Sequence, residues 1–136
     1  MLNANLELRG FNEAINEALQ EANRQALQLA AAQIRDRLRQ RFESEGRLFG
    51  MPWIPRKSGN ERLPRRPLLF STGRLKRSFI DPHDPEHLEI IEEGTDPTRP
   101  TLLLGSTVPY AAFHQRGTSR GLPARPILTA EILSGA

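Results

Sequence analysis

Three short runs near the end of the chain decide its fold: Leu102-Leu103-Leu104-Gly105-Ser106, Pro109-Tyr110-Ala111-Ala112-Phe113-His114-Gln115-Arg116-Gly117 and Pro123-Ala124-Arg125-Pro126-Ile127-Leu128. The first reads as an apolar strand. The second reads as an aromatic, mostly uncharged turn closed by glycine. The third is a stiff Pro-x-x-Pro corner, because each proline fixes its own φ and restrains the residue before it. No nucleophile with a base, no paired carboxylates and no metal-ligand spacing occurs in these runs. They are specific in shape and poor in reactive chemistry, which directs the reading toward assembly rather than catalysis.

Immediately upstream, His87-Leu88-Glu89-Ile90-Ile91-Glu92 is a second strand candidate. With Thr101–Ser106 it predicts an antiparallel hairpin with an acidic outer face, turning between Gly94 and Pro100. Ser71-Thr72-Gly73 predicts an N-cap and tight entry to a short helix, Arg74–Phe79, with Leu75 and Phe79 on one buried face. Asp81-Pro82 ends it. Residues Ile127 to Leu133 are compatible with strand or helix.

The N-terminal third predicts a long helix over residues 11–45. Phe11, Ile15, Leu19, Ala22, Ala26, Leu29, Ile34 and Leu38 recur at spacings of three to five, and good helix formers fill the gaps. Gly10 precedes this helix, Asn12 is its expected N-cap, and Gly46 is its stop. Arg35, Arg37, Arg39 and Arg41 lie toward the negative end of its dipole. Its length of roughly 50 Å at 1.5 Å per residue exceeds an ordinary domain, so one end should project, kink or pack on a neighbour.

Residues 46–67 read as a basic, Pro-rich loop. Pro52, Pro55, Pro64 and Pro67 forbid regular structure. Trp53, the only tryptophan, is either an anchor for this loop or a contact to a partner chain. Arg56, Lys57, Arg62, Arg65 and Arg66 could face DNA phosphates or an acidic partner surface.

The expected architecture is therefore one α+β domain over residues 1–136. A long amphipathic helix and a short second helix pack on a small antiparallel sheet built from residues 68–136. The 136 residues contain no cysteine, so neither a disulfide framework nor a thiolate metal site is available. No apolar run reaches the length of a membrane span, and the first residues lack the pattern of a secretory signal. His83 and His87 lie among Asp81, Asp84 and Glu86, but their spacing matches no metal motif. We expect no metal and no cofactor.

The net charge is +3, unevenly spread. Arg35 to Arg77 contains thirteen Lys or Arg against four Asp or Glu, and Asp81 to Asp96 contains seven acids and no Lys or Arg. These blocks are either solvated faces, or complementary surfaces that meet between copies, or a basic face turned toward DNA.

Four elements occur in a characteristic order: the long helix; Gly50-Met51-Pro52-Trp53-Ile54-Pro55; Pro67-Leu68-Leu69-Phe70-Ser71-Thr72-Gly73-Arg74-Leu75-Lys76-Arg77-Ser78-Phe79; and Gly105-Ser106, Tyr110-Ala111, His114-Gln115-x-Gly117, closed by Pro123-Ala124-Arg125-Pro126. Over about residues 11 to 130 this chain resembles the virion morphogenesis and tail completion proteins of tailed bacteriophages, including Mu-like phages. The resemblance implies a non-enzymatic structural protein of the virion neck or the head-proximal tail end, assembled in the host cytoplasm. It implies a ring of copies, hexameric or dodecameric, beneath the portal and adaptor. Expected partners are other neck, adaptor or tail-terminator proteins and the DNA that passes through the channel. Trp53, Thr72, Gly73, Tyr110, Phe113, His114 and Arg125 are the expected interface residues. The alternative is a nucleic-acid-binding protein whose basic loop contacts phosphate.

Overall fold

A computed structural model describes residues 4–55, 69, 73–93, 96 and 99–135, with side chains from residue 12 onward. The architecture is α+β. Helix α1 (Ala4–Glu43) is followed by α2 (Arg74–Ile80), strands β1 (His87–Glu92) and β2 (Thr101–Ser106), and the short helices α3 (Ala111–Arg116) and α4 (Ala130–Ser134).

Helix α1 runs 40 residues, roughly 60 Å. It begins seven residues before the expected start and passes through Gly10, so Asn12 is an exposed interior residue and not an N-cap. One glycine weakens a helix by about 1 kcal/mol relative to alanine, which strong neighbouring helix formers offset. The C-terminus closes as a Schellman motif. Gly46 N–H donates to Arg41 O at 2.8 Å and Glu45 N–H donates to Phe42 O at 3.1 Å. Glu45 and Gly46 take left-handed φ values of 55° and 85°. A side chain on Gly46 would place Cβ 2.5 Å from Trp53 Cγ, so glycine at this stop also admits the tryptophan.

The sheet is a single antiparallel ribbon with Leu104 opposite Glu89 and Leu102 opposite Ile91. Alternation along the strands turns His87, Glu89, Ile91, Leu102 and Leu104 to one face and Ile90 and Leu103 to the other. The expected acidic outer face is not what forms. Glu89 lies three-quarters buried against Arg35 of α1, whereas Ile90 and Leu103 are each 44% exposed on the outer face. The acid turns inward because α1 supplies a cation there.

One further expectation is revised and one left open is settled. The aromatic turn after Pro109 is helical over Ala111–Arg116 and is closed by Gly117 at φ 73°. The C-terminal segment resolves into helix, with the Thr129 hydroxyl accepting the Ile132 N–H as an N-cap at 3.2 Å. Leu68, Phe70, Ser71 and Thr72 lie outside the described residues. Gly73 itself occupies the N-cap position of α2, left-handed at φ 81° and without a side-chain cap.

One core joins these parts: Ile34, Leu38 and Phe42 of α1, Trp53, Leu75 and Phe79 of α2, Val108, Ala111, Ile127 and Ile132. It lies against the C-terminal half of α1. Ile15, Leu19 and Leu29 farther up the helix are 42%, 48% and 63% exposed. No helix among the described residues is long and apolar enough to cross a membrane.

Candidate functional site

The sequence elements quoted above converge at one place, where the loop after α1 meets the proline corner. Arg41 organises this junction. Its position continues the apolar stripe, seven residues after Ile34 and three after Leu38, so the helix drives it into the core (0% exposed). A buried guanidinium needs acceptors for its fork of donors. Nε donates to Pro126 O at 2.8 Å, one terminal nitrogen to Gly46 O at 2.6 Å and Leu48 O at 2.9 Å, and the other to Met51 O at 3.3 Å. Burial pushes Arg41 below its ordinary pKa, and the Glu131 charge opposes that shift. The loop thus wraps around the head of one side chain, and Gly50 is required because its Cβ would lie 2.9 Å from that guanidinium.

Trp53 is the second member. It is 4% exposed, edge-on to Phe42 with ring centroids 5.5 Å apart, with the Arg41 guanidinium 5.5 Å from its ring centroid. Its Nε1 donates to the same Pro126 carbonyl at 2.8 Å. Within the chain it anchors the loop. Arg125, also buried, donates from Nε to Ile54 O at 2.7 Å, and Thr129 donates to Phe49 O at 2.6 Å. The Pro-Ala-Arg-Pro corner therefore grips the Gly-x-Pro-Trp-x-Pro loop from both sides.

Helix α3 fastens the corner from behind. Gln115 Oε1 accepts from Ile127 N–H and Leu128 N–H at 2.8 and 3.0 Å, and its amide donates to Leu128 O at 2.7 Å. Arg125 N–H donates to His114 O at 2.7 Å. Gly117 is left-handed, and a Cβ there would lie 2.8 Å from Ala124 N. Among the described residues, His114 Nδ1 is buried without a hydrogen-bond partner. Burial first, and the Arg125 charge second, lower the His114 pKa below its ordinary value. Phe113 is 55% exposed, and the half-buried Tyr110 stands edge-on to His114 with the Arg74 guanidinium 5.5 Å from its ring centroid.

Of the expected interface residues, the structure brings Trp53 and Arg125 into the clamp, with His114 bordering Arg125. Phe113 lies on α3 and Tyr110 at its N-cap beside it, and Gly73 stands apart at the start of α2. Thr72 and the basic residues Arg56, Lys57, Arg62, Arg65 and Arg66 lie outside the described residues. Arg41 and Gln115 were missed. The signal for Arg41 was a cation on the apolar stripe of its helix.

The acidic block pairs within the chain. Glu89 meets Arg35 at 3.0 Å, Glu86 takes Arg74 through two 2.6 Å bonds, Asp84 lies 3.9 Å from Arg77, and Glu93 pairs with Arg24. Arg74 lowers the Glu86 pKa, chiefly by hydrogen bonding. Three cations of the basic block, Arg35, Arg74 and Arg77, are thus paired with acids of the acidic block inside one copy.

One other polar cluster invites a catalytic reading. His87 donates from Nδ1 to Ser78 O at 2.8 Å and holds Nε2 3.0 Å from Glu89 Oε1. The Ser78 hydroxyl instead donates to Leu75 O and accepts from Ser106 Oγ, each at 2.6 Å. Serine and histidine are neighbours, but the histidine does not touch the nucleophilic oxygen. Catalysis of acyl transfer needs that contact. No group of three or more His, Cys, Asp or Glu able to hold a metal is present among the described residues.

No curated protein and no solved structure matches the chain. A family model does, over residues 6–132, from the N-terminal part of α1 through the clamp to α4. The match takes in the described parts of the ordered elements whose packing has just been described, and the chain belongs to the phage virion morphogenesis family.

Proposed function

We propose that this protein is a non-catalytic ring component at the head–tail junction of the virion, completing the tail or joining it to the portal and adaptor. Family membership supports a part in building the virion. The observation that carries the finer reading is the division of α1. Its last turns are locked into the body by the Arg41 clamp, while farther up it exposes Ile15, Leu19 and Leu29. A helix that presents apolar residues beyond its own core is suited to binding another protein. The partners that follow are copies of the same chain and the neighbouring neck, adaptor or terminator proteins, with DNA in the channel.

Cryo-electron microscopy of intact virions, with the protein located by antibody or by a fused tag, tests this reading. Density at the head-proximal end of the tail is expected. Density in the capsid shell, or absence from virions, overturns it. Binding of free duplex DNA by the isolated protein, with no ring in virions, would replace it with the nucleic-acid reading.

A further inference from the structure

Helix α1 carries two stripes, one facing the body and a second that is wholly apolar. The body-facing one runs through Gln20, Asn23, Leu27, Ala30, Ala31, Ile34 and Leu38, all buried or half-buried. The second, Ile15, Leu19, Ala22, Ala26 and Leu29, is exposed throughout. Each member of the second stripe from Leu19 onward immediately precedes a body-facing residue, so the stripes are about 100° apart on the helix. Steps of four, three, four and three make the second stripe a two-turn-period seam of the kind that packs on other elements. It is roughly 21 Å long.

The same chain carries an apolar groove. A cavity of about 390 Å³ opens between α1, the inner face of β2 and α4, lined by Ile34, Leu102, Leu104, Leu128, Ile132 and Leu133. Leu133, at its lip, is 70% exposed.

We propose that the exposed stripe of α1 in one copy lies in this groove of the next copy, head to tail around the ring. This deepens the ring reading and rests on it. A copy cannot fill its own groove. Arg37 contacts the carbonyls of Ile132 and Leu133, and Leu19 lies eighteen residues away on the same unbroken helix, about 27 Å along the axis. The anchors fit the helix-in-groove mode, where one face presents residues at i, i+4, i+7 and i+11. Ala22 and Ala26 at its centre let the helix axis approach the groove closely.

Symmetry supports the same occupant. Pairing the stripe with itself gives an isologous contact that stops at two copies and leaves the groove empty. Stripe into groove is heterologous, uses both surfaces of every copy and can close a ring.

The test uses the full chain with Leu19→Asp, which spoils the stripe, and Leu133→Asp, which spoils the groove. Both side chains are exposed, 48% and 70%, and Trp53 fluorescence checks that each variant is folded. Light scattering coupled to size exclusion should show wild-type assembly and, for each variant alone, association weakened at least tenfold. Mixing the two variants should restore one productive contact and give a one-to-one pair. In the chain carrying Leu19→Cys with Leu133→Cys, oxidation should cross-link copies through Cys at position 19 and Cys at position 133. The distance along α1 forbids that bond within a copy. A mixture that stays monomeric while the wild type assembles overturns the inference, as do cross-links from position 19 to position 19. Unchanged assembly of both variants also overturns it. So does normal assembly of Leu133→Asp that fails only at incorporation into virions, since the groove would then belong to a different protein. A wild type that never assembles, alone or in virions, instead brings down the ring reading itself.

Discussion

Replacing Arg41 with methionine keeps a long unbranched stem in the core and deletes the guanidinium. Four carbonyls lose a donor, those of Pro126, Gly46, Leu48 and Met51. Pro126 O keeps the Trp53 indole. The bond to Gly46 O is fully buried, and an orphaned buried acceptor costs about 1–3 kcal/mol. The Leu48 and Met51 carbonyls are only partly buried and can turn to water, so each loses about 0.5–1.5 kcal/mol. Relief of the guanidinium's desolvation works in the opposite direction. The net expectation is a loss of about 2–4 kcal/mol, a large share of the stability of a domain this size. The reporter is built in, because the only tryptophan lies against this side chain. Urea unfolding followed by Trp53 emission should show the midpoint falling by about 1–2 M at an ordinary slope. Arg41→Lys should recover little, since a point charge with three donors cannot span the same carbonyls. If Arg41→Met equals or exceeds the wild type, desolvation outweighs the hydrogen bonds, and apolar packing of Trp53 on Phe42 holds the loop.

Other substitutions probe the remaining parts. Gly46→Ala combines a left-handed φ with a Cβ 2.5 Å from the indole, and should cost more than about 2 kcal/mol in thermal or urea unfolding. His114 holds a lowered pKa in the folded state, so the unfolded chain takes up that proton first as pH falls. Its stabilisation is complete above the ordinary histidine value of about 6.5 and is lost as pH falls from there toward the folded value. His114→Gln should flatten the dependence of melting temperature on pH across that acid range. Glu89→Lys removes the carboxylate that faces Arg35 and His87 and sets a second cation beside Arg35, and should destabilise the free monomer by about 1 kcal/mol. A folded monomer that fails only in assembly would put Glu89 at an interface instead.

Much of the fold was legible because local chemistry and tertiary context agree. The hairpin, the long helix and the short helix ending at Asp81-Pro82 each follow from periodicity and from proline or glycine punctuation. The errors occur where context overrides propensity. Gly10 could not stop a helix whose neighbours favour it. Glu89 was assigned to solvent by its charge alone, but Arg35 across the interface draws it inward. The list of apolar positions along α1 contained a five-residue step from Leu29 to Ile34. A step of five turns about 140° around the helix, which marks the change from one stripe to the other, yet spacing alone does not say which stripe meets the body. Arg41 was read only as a cation near the negative end of the helix dipole, since a sequence cannot show that four carbonyls from distant turns will gather around it. The motif residues of the clamp were visible as shapes, and their mutual hydrogen bonds were not.

The clamp also sets an order of events during synthesis. Helix α1 needs only local bonds and can form as soon as it is made. Arg41, Trp53 and Ile54, however, await Arg125 and Pro126, partners more than seventy residues later. Closing such long loops is slow and comes late. A nascent chain is therefore an early helix attached to an unfinished body until its proline corner has been translated. Nonsense fragments that stop short of residue 126 would keep the helix and lose the closure. They would be substrates for proteolysis rather than building blocks, so the fold screens its own completeness before a copy becomes available for assembly.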